Sequence, residues 1–198
     1  MRSLSRNLLL LSAAFILFTA IARAQKIELA VTFDAERAKS SQASCSCFWL
    51  KGGTIEGGVT LFHGLGVVAN FTGESGTAPP ITGSTATGVQ LTQYSYLAGP
   101  RYTTRPNQLA AHPSAFVDFL IGGTHATNGV FPTSTSIQST ANSLALQTGA
   151  GFELGFENGF GLRLPELDYV HTALPNNGNN SQNDFRLAFG LTYKLGRK

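Results

Sequence analysis

Four histidines and many hydroxyl side chains are the residues of this chain best suited to chemistry. A nucleophilic triad needs a histidine within hydrogen-bonding reach of a hydroxyl and an orienting carboxylate. His125 and His171 follow two predicted strands, and Asp168 precedes His171 by three residues, so a lipid-modifying hydrolase or acyltransferase is one hypothesis. His63 and His112 lie in turns at the opposite end, where solvent-exposed rings are expected. Because hydroxyls are frequent in any polar loop, the sequence assigns no catalytic residue.

Charged side chains form the second group with chemical potential, because they recur on strand faces opposite to apolar residues. Three arginines among them could line an anion path. Buried charges are costly unless they are paired, so pairing with carboxylates is the favoured interpretation. The predicted structural charge network consists of Glu56, Arg101, Asp118, Glu153, Arg163, Asp168, Arg186 and Lys194.

Cys45 and Cys47 form a C-x-C pair in a serine-rich stretch. An oxidising compartment permits a disulfide, but so small a ring is strained. A metal site needs more ligands than these two thiols. The pair is therefore interpreted as a loop feature, and no metal or cofactor is predicted.

The composition excludes one class of function. Net charge is +3, and the charged fraction of 13% is about half of the usual share. This argues against a nucleic-acid partner held by a basic surface. The 22 glycines and 10% aromatic residues are typical of barrel strands and their loops.

The N-terminus has the three parts of a secretory signal peptide in order. Arg2 and Arg6 precede an apolar run over 7–21, and A-R-A occupies 22–24. A membrane anchor is the rival interpretation, but the run is short of the ~20 residues that a span needs. The predicted organisation is a cleaved signal peptide, 1–24, and one domain, 25–198.

Strict alternation dominates the last stretch, which reads D-F-R-L-A-F-G-L-T-Y-K-L over 184–195. One face is wholly apolar and the other is small, polar or charged, as in a β-strand with one face in lipid. The same pattern predicts strands over 27–35, 48–61, 65–73, 89–102, 115–125, 143–154, from 160 onwards and 184–195. After Pro165 the alternation slips, which predicts a bulge.

The predicted connections alternate in length. Those over 37–46, 74–88, 126–142 and 173–183 are long and polar, whereas those over 62–64, 103–113 and 157–159 are shorter on average. Long extracellular loops and short periplasmic turns are characteristic of outer-membrane barrels. The predicted fold is all-β: an eight-stranded antiparallel up-and-down transmembrane β-barrel. A lipocalin-like barrel is the alternative, but its apolar cavity fits badly with so many charges on the second face.

Several segments carry a resemblance to known proteins: L-T-Q-Y-S-Y-L-A-G-P-R-Y at 91–102, F-V-D-F-L-I-G-G at 116–123, L-A-L-Q-T-G-A-G-F at 144–152, L-R-L-P-E-L-D-Y at 162–169 and F-R-L-A-F-G-L-T-Y at 185–193. The chain resembles bacterial outer-membrane β-barrels of the OmpA-like and opacity-type group, especially acidobacterial outer membrane beta-barrel proteins. Such barrels usually end on an aromatic strand residue. This chain ends L-G-R-K, so Tyr193 and Leu195 would have to serve as the signal for the barrel-assembly machinery.

The resemblance implies fold and location far more than activity. The expected function is a structural, adhesive or surface-recognition role in the bacterial outer membrane, carried by the extracellular loops, with a lumen plugged by charged pairs. Expected partners are outer-membrane lipid and lipopolysaccharide, no nucleic acid is expected, and the protein is expected to be a monomer. The first alternative is a narrow porin for small solutes, and the second is the lipid-modifying enzyme.

Overall fold

The computed structural model describes residues 26–39, 47–79, 88–104, 112–133, 136–176 and 179–195. The predicted signal peptide and Cys45 lie outside these residues. Within the described ranges, no helix is long and apolar enough to span a membrane.

Eight antiparallel strands form one closed barrel in which each strand pairs with its neighbours in sequence and β1 closes on β8. The strands are β1 Lys26–Lys39, β2 Cys47–Phe62, β3 Leu65–Ala78, β4 Val89–Thr103, β5 His112–Pro132, β6 Ile137–Gly155, β7 Phe160–Thr172 and β8 Gln182–Leu195. The end carrying the β1–β2, β3–β4, β5–β6 and β7–β8 connections is here called the outer end, and the opposite end the inner end. The predicted up-and-down barrel is confirmed.

Alternation places apolar side chains on the outside of every strand. On β8, Phe185, Leu187, Phe189 and Leu191 are all about half exposed, at 46–59%. Together with the matching residues of the other strands they form the apolar belt, which on β8 extends from Phe185 to Leu195. An apolar band around a closed barrel is the surface that a bilayer covers, and about 9–11 residues per strand suffice to cross it.

The barrel interior is mixed rather than wholly polar. Four apolar side chains pack together inside it: Val68, Leu97, Leu120 and Ala145. Sequence alternation already places Val68, Leu97 and Leu120 on the inner face. The apolar cluster lies on β3 to β6, and β4 to β6 also carry charged lumen residues, so apolar and charged side chains share the interior.

The bulge predicted after Pro165 is present. The β7–β8 register shifts between Arg163 and Glu166, and the β6–β7 register shifts between Ala150 and Glu153. Pro165 lacks the N–H that a regular ladder needs, and the extra residue restores alternation so that Leu167 faces out.

The long loop predicted over 126–142 is wrong. β5 and β6 continue through most of it and pair as far as Pro132 and Ile137, with one irregularity between Thr127 and Phe131. Threonine favours strands as well as loops, so the Ser/Thr-rich composition did not distinguish the two. A second apolar cluster lies at the outer end and consists of Ala126, Phe131, Ala141 and Leu174. Through it, the extended β5–β6 hairpin packs against the segment that follows β7.

Candidate functional site

The candidate site is the group of charged side chains that cross the lumen. Arg101 on β4 is 7% exposed and binds two carboxylates. One is Glu56 on β2, bonded to both terminal nitrogens, with Nη2 to Oε2 at 2.8 Å. The other is Asp118 on β5, whose Oδ2 accepts from Nε at 3.1 Å. Asp118 is the direct cross-strand partner of Arg101, whereas Glu56 is reached across the barrel interior.

Arg163 on β7 is the second centre of the network. Its Nη2 lies 2.8 Å from oxygens of both Glu56 and Glu153 and 3.1 Å from Glu28 Oε1. Its Nη1 lies 3.3 Å from Glu166 Oε2. Arg163 and Arg101 therefore share the Glu56 carboxylate. Charge-assisted bonds of this kind, made from one planar guanidinium to several strands, fix side chains in one geometry.

Lys194 and Phe116 complete this inner part of the network. Lys194 Nζ on β8 lies 2.6 Å from Glu153 Oε2 and 3.1 Å from Glu28 Oε2. The ring of Phe116 faces both guanidinium groups, with its centroid 4.3 Å from Cζ of Arg101 and 4.8 Å from Cζ of Arg163. The buried ring thus adds cation–π contacts that alternation alone did not reveal.

Arg186 on β8 forms a separate group nearer the outer end. It binds Asp168 Oδ2 through Nε at 3.0 Å and Nη2 at 2.9 Å. Its Nη2 also donates to Gln147 Oε1 at 2.7 Å. Asp34 lies beside this group and accepts from the hydroxyls of Thr32 and Thr54. This second group rests on polar uncharged partners as much as on ion pairs.

The structure thus brings all eight residues of the predicted charge network into buried or half-buried positions in the lumen. They fall into two groups. The Arg101–Arg163 group consists of these two arginines with their partners Glu28, Glu56, Asp118, Glu153, Glu166 and Lys194, and the Arg186 group consists of Arg186, Asp168 and Gln147. Residues outside the predicted network take part as well. They are Glu28, Glu166, Phe116, Gln147 and Asp34. Each lies on the inner face of its strand, so alternation was the signal that locates them, but sequence does not show which side chains meet across a lumen.

Acidic groups exceed cationic groups inside the barrel. The chain has 11 Asp and Glu residues, and all but Glu157 of the inner turn face the lumen. Among the described residues only four cationic side chains are buried or half-buried there: Arg101, Arg163, Arg186 and Lys194. Ion pairing within the lumen therefore leaves carboxyl groups without a cation.

Three buried carboxylates lie close enough to hold a metal ion, since single oxygens of Glu56, Asp118 and Glu166 fall within 4.8 Å of one another. Arg101 and Arg163 already supply the positive charge there, so the donor set fits a guanidinium pair better than a metal. The voids near these side chains are about 20 and 10 Å³, the size of single water molecules.

The two histidines of the enzyme hypothesis lie on the outside of the barrel. His125 Nδ1 is 2.7 Å from Asn142 Oδ1, and His171 Nδ1 is 2.9 Å from Asn183 Oδ1. Asp168 instead points inward and binds Arg186. Within the described ranges, no hydrogen bond joins either histidine to a carboxylate or a hydroxyl. His63 occupies a turn at positive φ, and His112 is exposed at the inner end.

Asp184 marks the outer limit of the lumen. It lies one residue beyond the apolar belt of β8 and accepts a hydrogen bond from the Lys39 backbone N–H at 2.9 Å. Burial raises the pKa of this carboxyl to about 6, although the Lys39 N–H and the nearby His171 act in the opposite direction. Cys47, at the start of β2, is an exposed free thiol.

A closed eight-stranded barrel with an apolar outer belt and a polar lumen defines the class, because this is the fold of integral outer-membrane β-barrel proteins. Comparison with solved structures agrees. Neisserial surface protein A has a TM-score of 0.61 and 16% identity, covering 85% of this chain and 97% of that one.

A second similar structure is Ail, the attachment invasion locus protein of Yersinia pestis, in complex with the heparin analogue sucrose octasulfate. It has a TM-score of 0.51 and 14% identity, and the match covers 87% of this chain and 99% of that one. No protein-family model and no curated protein matches this chain. At these identities the likeness establishes the fold of the OmpA-like barrels and not a shared activity.

Proposed function

We propose that this protein is a closed outer-membrane barrel that anchors and displays its outer end at the cell surface, in a structural, adhesive or surface-recognition role. The single observation that carries this proposal is the Arg101–Arg163 group. Its ion pairs join β1, β2, β4, β5, β6, β7 and β8 across the lumen. A lumen crossed by buried ion pairs leaves the outer surface as the part available to partners.

The same observation weighs against the two alternatives. A narrow porin needs a continuous water path, whereas the two voids found beside the buried arginines of the described residues are the size of single waters. A lipid-modifying enzyme needs an activated nucleophile, whereas His125 and His171 bind asparagines. No observation of the described residues favours either alternative over surface display.

Exposure of the outer end can be tested with the exposed thiol of Cys47. In a Cys45→Ser variant, Cys47 is the single remaining thiol. A membrane-impermeant maleimide is expected to label it in intact cells as fully as in lysed cells. A matched Lys26→Cys variant, with Cys45→Ser and Cys47→Ser, puts the thiol at the exposed inner end and is expected to react only after lysis. The opposite pattern would overturn the proposed orientation.

Lipopolysaccharide is the partner of the outer end that the surface charges support. Just beyond the apolar belt, the β1–β2 hairpin exposes Arg37, Lys39 and Lys51 on its outer face. The Arg37 Cζ lies 5.7 Å from the Trp49 ring centroid. Cations and an interfacial aromatic at this level suit phosphate groups at the membrane surface. The Ail complex with a sulfated sugar is a precedent for anion binding in a barrel of this fold.

This contact can be measured as binding of lipid A to the folded protein in detergent. Arg37→Glu combined with Lys51→Glu is expected to weaken binding about tenfold or more, because attraction becomes repulsion. Lys26→Glu, at the inner end, changes an exposed charge without touching the hairpin and should leave binding unchanged. Equal losses in both variants would indicate a net-charge effect and contradict a site on the hairpin.

The remaining partners follow from the belt and from the last strand. Outer-membrane lipid covers the apolar belt, and β8, ending with the outward-facing Tyr193 and Leu195, is offered to the barrel-assembly machinery. We propose a monomer, because barrel closure leaves no strand edge for a second copy.

A further inference from the structure

A cavity of about 110 Å³ lies inside the outer end of the barrel. Most of its walls are apolar and come from β2, β4, β5 and the segment after β7. They include Phe48, Leu50, Leu91, Phe131 and Leu174. A cavity in a small domain that is somewhat larger than this, about 150 Å³, holds a benzene molecule. The space is therefore suited to an apolar body no larger than a phenyl ring.

Acidic groups lie at the base of this cavity. Asp184 is part of the lining. Glu36 is the direct cross-strand partner of the lining residue Leu50, and Glu74 is the partner of the lining residue Gln93. Directly opposed residues have Cβ atoms about 4.5–5.5 Å apart on the same face. Neither glutamate lines the cavity itself, but each lies directly opposite a residue that does.

The two glutamates lack partners. Glu36 is 1% exposed and Glu74 is 3% exposed. Both oxygens of Glu36 and Oε1 of Glu74 are buried without a hydrogen bond of normal geometry, although the two carboxyl groups are close enough to interact. A buried carboxyl group without a partner is costly. A positive charge or a hydrogen-bond donor placed between these groups would therefore be stabilised.

No cation of the described residues fills this place. Arg186, the nearest buried cation, makes its ion pair with Asp168 and acts on both glutamates only from beyond ion-pair distance. Lys39 lines the cavity, but it offers its backbone N–H to Asp184 and its side chain is exposed. His171 points outward to Asn183. The excess of lumen carboxylates is therefore most concentrated where the apolar cavity begins.

We propose that the outer cavity binds a small primary amine: an apolar body about the size of a phenyl ring occupies the cavity, and its ammonium group pairs with Glu36 and Glu74. An ammonium group carries three donors, which match the unpartnered carboxylate oxygens. The apolar walls contribute to binding such a molecule and give nothing to an inorganic ion. This site is independent of the surface-display role and of the lipopolysaccharide contact.

The test uses the full mature barrel, isotope-labelled and folded in detergent micelles, with benzylammonium as the probe and benzyl alcohol as its neutral analogue. Benzylammonium is expected to shift the amide signals of Gln93, Leu174 and Gln182 saturably, with an affinity at least about tenfold above that of benzyl alcohol. Equal affinity of the two probes, or no saturable shift, would overturn the proposal. Displacement of benzylammonium by an equal concentration of Ca²⁺ would also overturn it, in favour of an inorganic cation site.

Variants separate the acidic base from the apolar walls. Glu36→Gln combined with Glu74→Gln is expected to weaken benzylammonium binding about tenfold and leave benzyl alcohol unaffected. Glu157→Gln removes the one carboxylate that lies outside the lumen and should change nothing. Ala38→Phe fills the cavity from its wall while keeping both carboxylates, so it should abolish binding even if the double variant does not fold. Full binding by folded Ala38→Phe would contradict the assignment.

Discussion

At the scale of single residues, the lumen depends on a few guanidinium groups that each satisfy several carboxylates. Arg163 contacts Glu28, Glu56, Glu153 and Glu166 at 2.8–3.3 Å while its own side chain is almost fully buried. Removing one partner of a buried ion pair lowers stability more than replacing the whole pair with apolar residues, because an uncompensated charge remains buried. Arg163 should therefore be among the residues least tolerant of substitution.

Arg163→Ala is expected to lower the free energy of unfolding by about 3–5 kcal/mol, since it strands several buried carboxylates at once. Urea-induced unfolding of the barrel in lipid vesicles measures this change. Arg37→Ala removes an exposed arginine and should stay within about 0.5 kcal/mol of the native protein. Comparable losses for both variants would show that the lumen network contributes little to stability.

Asp184 predicts a pH dependence of stability. Its carboxyl has a pKa raised to about 6 by burial, against an ordinary value of 3.8, so between these values the folded state binds the proton more tightly than the unfolded state. The stability that Asp184 contributes is thus fully present below pH 4 and is lost as pH rises through about 6. The loss amounts to about 1–3 kcal/mol.

The difference between the native protein and Asp184→Asn isolates this effect from the other carboxyl groups. Between pH 4 and pH 7, the midpoint of urea-induced unfolding should fall more for the native protein than for Asp184→Asn. A variant that loses as much stability as the native protein over this range would show that Asp184 does not titrate in it.

At the scale of elements, the eight strands and their faces follow from alternation alone, and the slip after Pro165 follows from the missing N–H. Strand ends do not. Alternation predicts that β1 ends at Ala35 and β3 at Gly73, whereas the strands continue to Lys39 and Ala78. Glu36 and Glu74 were missed for this reason, although both continue the alternation of their strands. Beyond the membrane belt, the outward-facing residues of a strand are polar as well. The sequence there no longer alternates between apolar and polar residues, so the strand cannot be recognised from it.

The contacts across the lumen could not be predicted for a different reason. Register fixes direct neighbours, such as Arg101 and Asp118, but Arg101 and Glu56 belong to strands that do not pair. Their meeting depends on the radius of the closed barrel and on the rotamers of long side chains. The contacts of Phe116 with two guanidinium groups could not be predicted either. Alternation shows only that Phe116 lies on the inner face of its strand.

Close approach between strands makes one glycine essential to β8. A Cβ built at Gly190 would lie 2.0 Å from the Val31 carbonyl oxygen and 2.7 Å from the Thr32 Cα, both backbone atoms of β1. Since backbone cannot yield as a side-chain tip can, Gly190→Ala should obstruct the β1–β8 closure. We expect a much lower yield of the folded form, seen as loss of the heat-modifiable band on gels.

Gly57→Ala is the matched control, because a Cβ there meets only the Leu29 Cδ2 at 3.8 Å, an ordinary contact. It should fold as well as the native protein. If Gly190→Ala also folds fully, the close approach of β1 and β8 at this point is not required for closure.

At the scale of the whole molecule, the protein is a barrel whose lumen is filled by two kinds of contact. An apolar cluster and the arginine groups share the interior, and β4, β5 and β6 contribute to both. Secretion is a precondition for this fold to reach a membrane, and cleavage after residue 24 remains a prediction. The mass of the protein purified from membranes should equal that of a chain beginning at Gln25, and a mass that includes residues 1–24 would contradict cleavage.

A lumen closed by ion pairs should not conduct ions, which conductance across planar lipid bilayers measures. The native protein, shown to be folded by its heat-modifiable mobility, is expected to give no sustained open channel, because the Arg101–Arg163 group crosses the lumen and the voids there are water-sized. A sustained ohmic channel in the folded native protein would contradict the closed barrel and support the narrow porin instead.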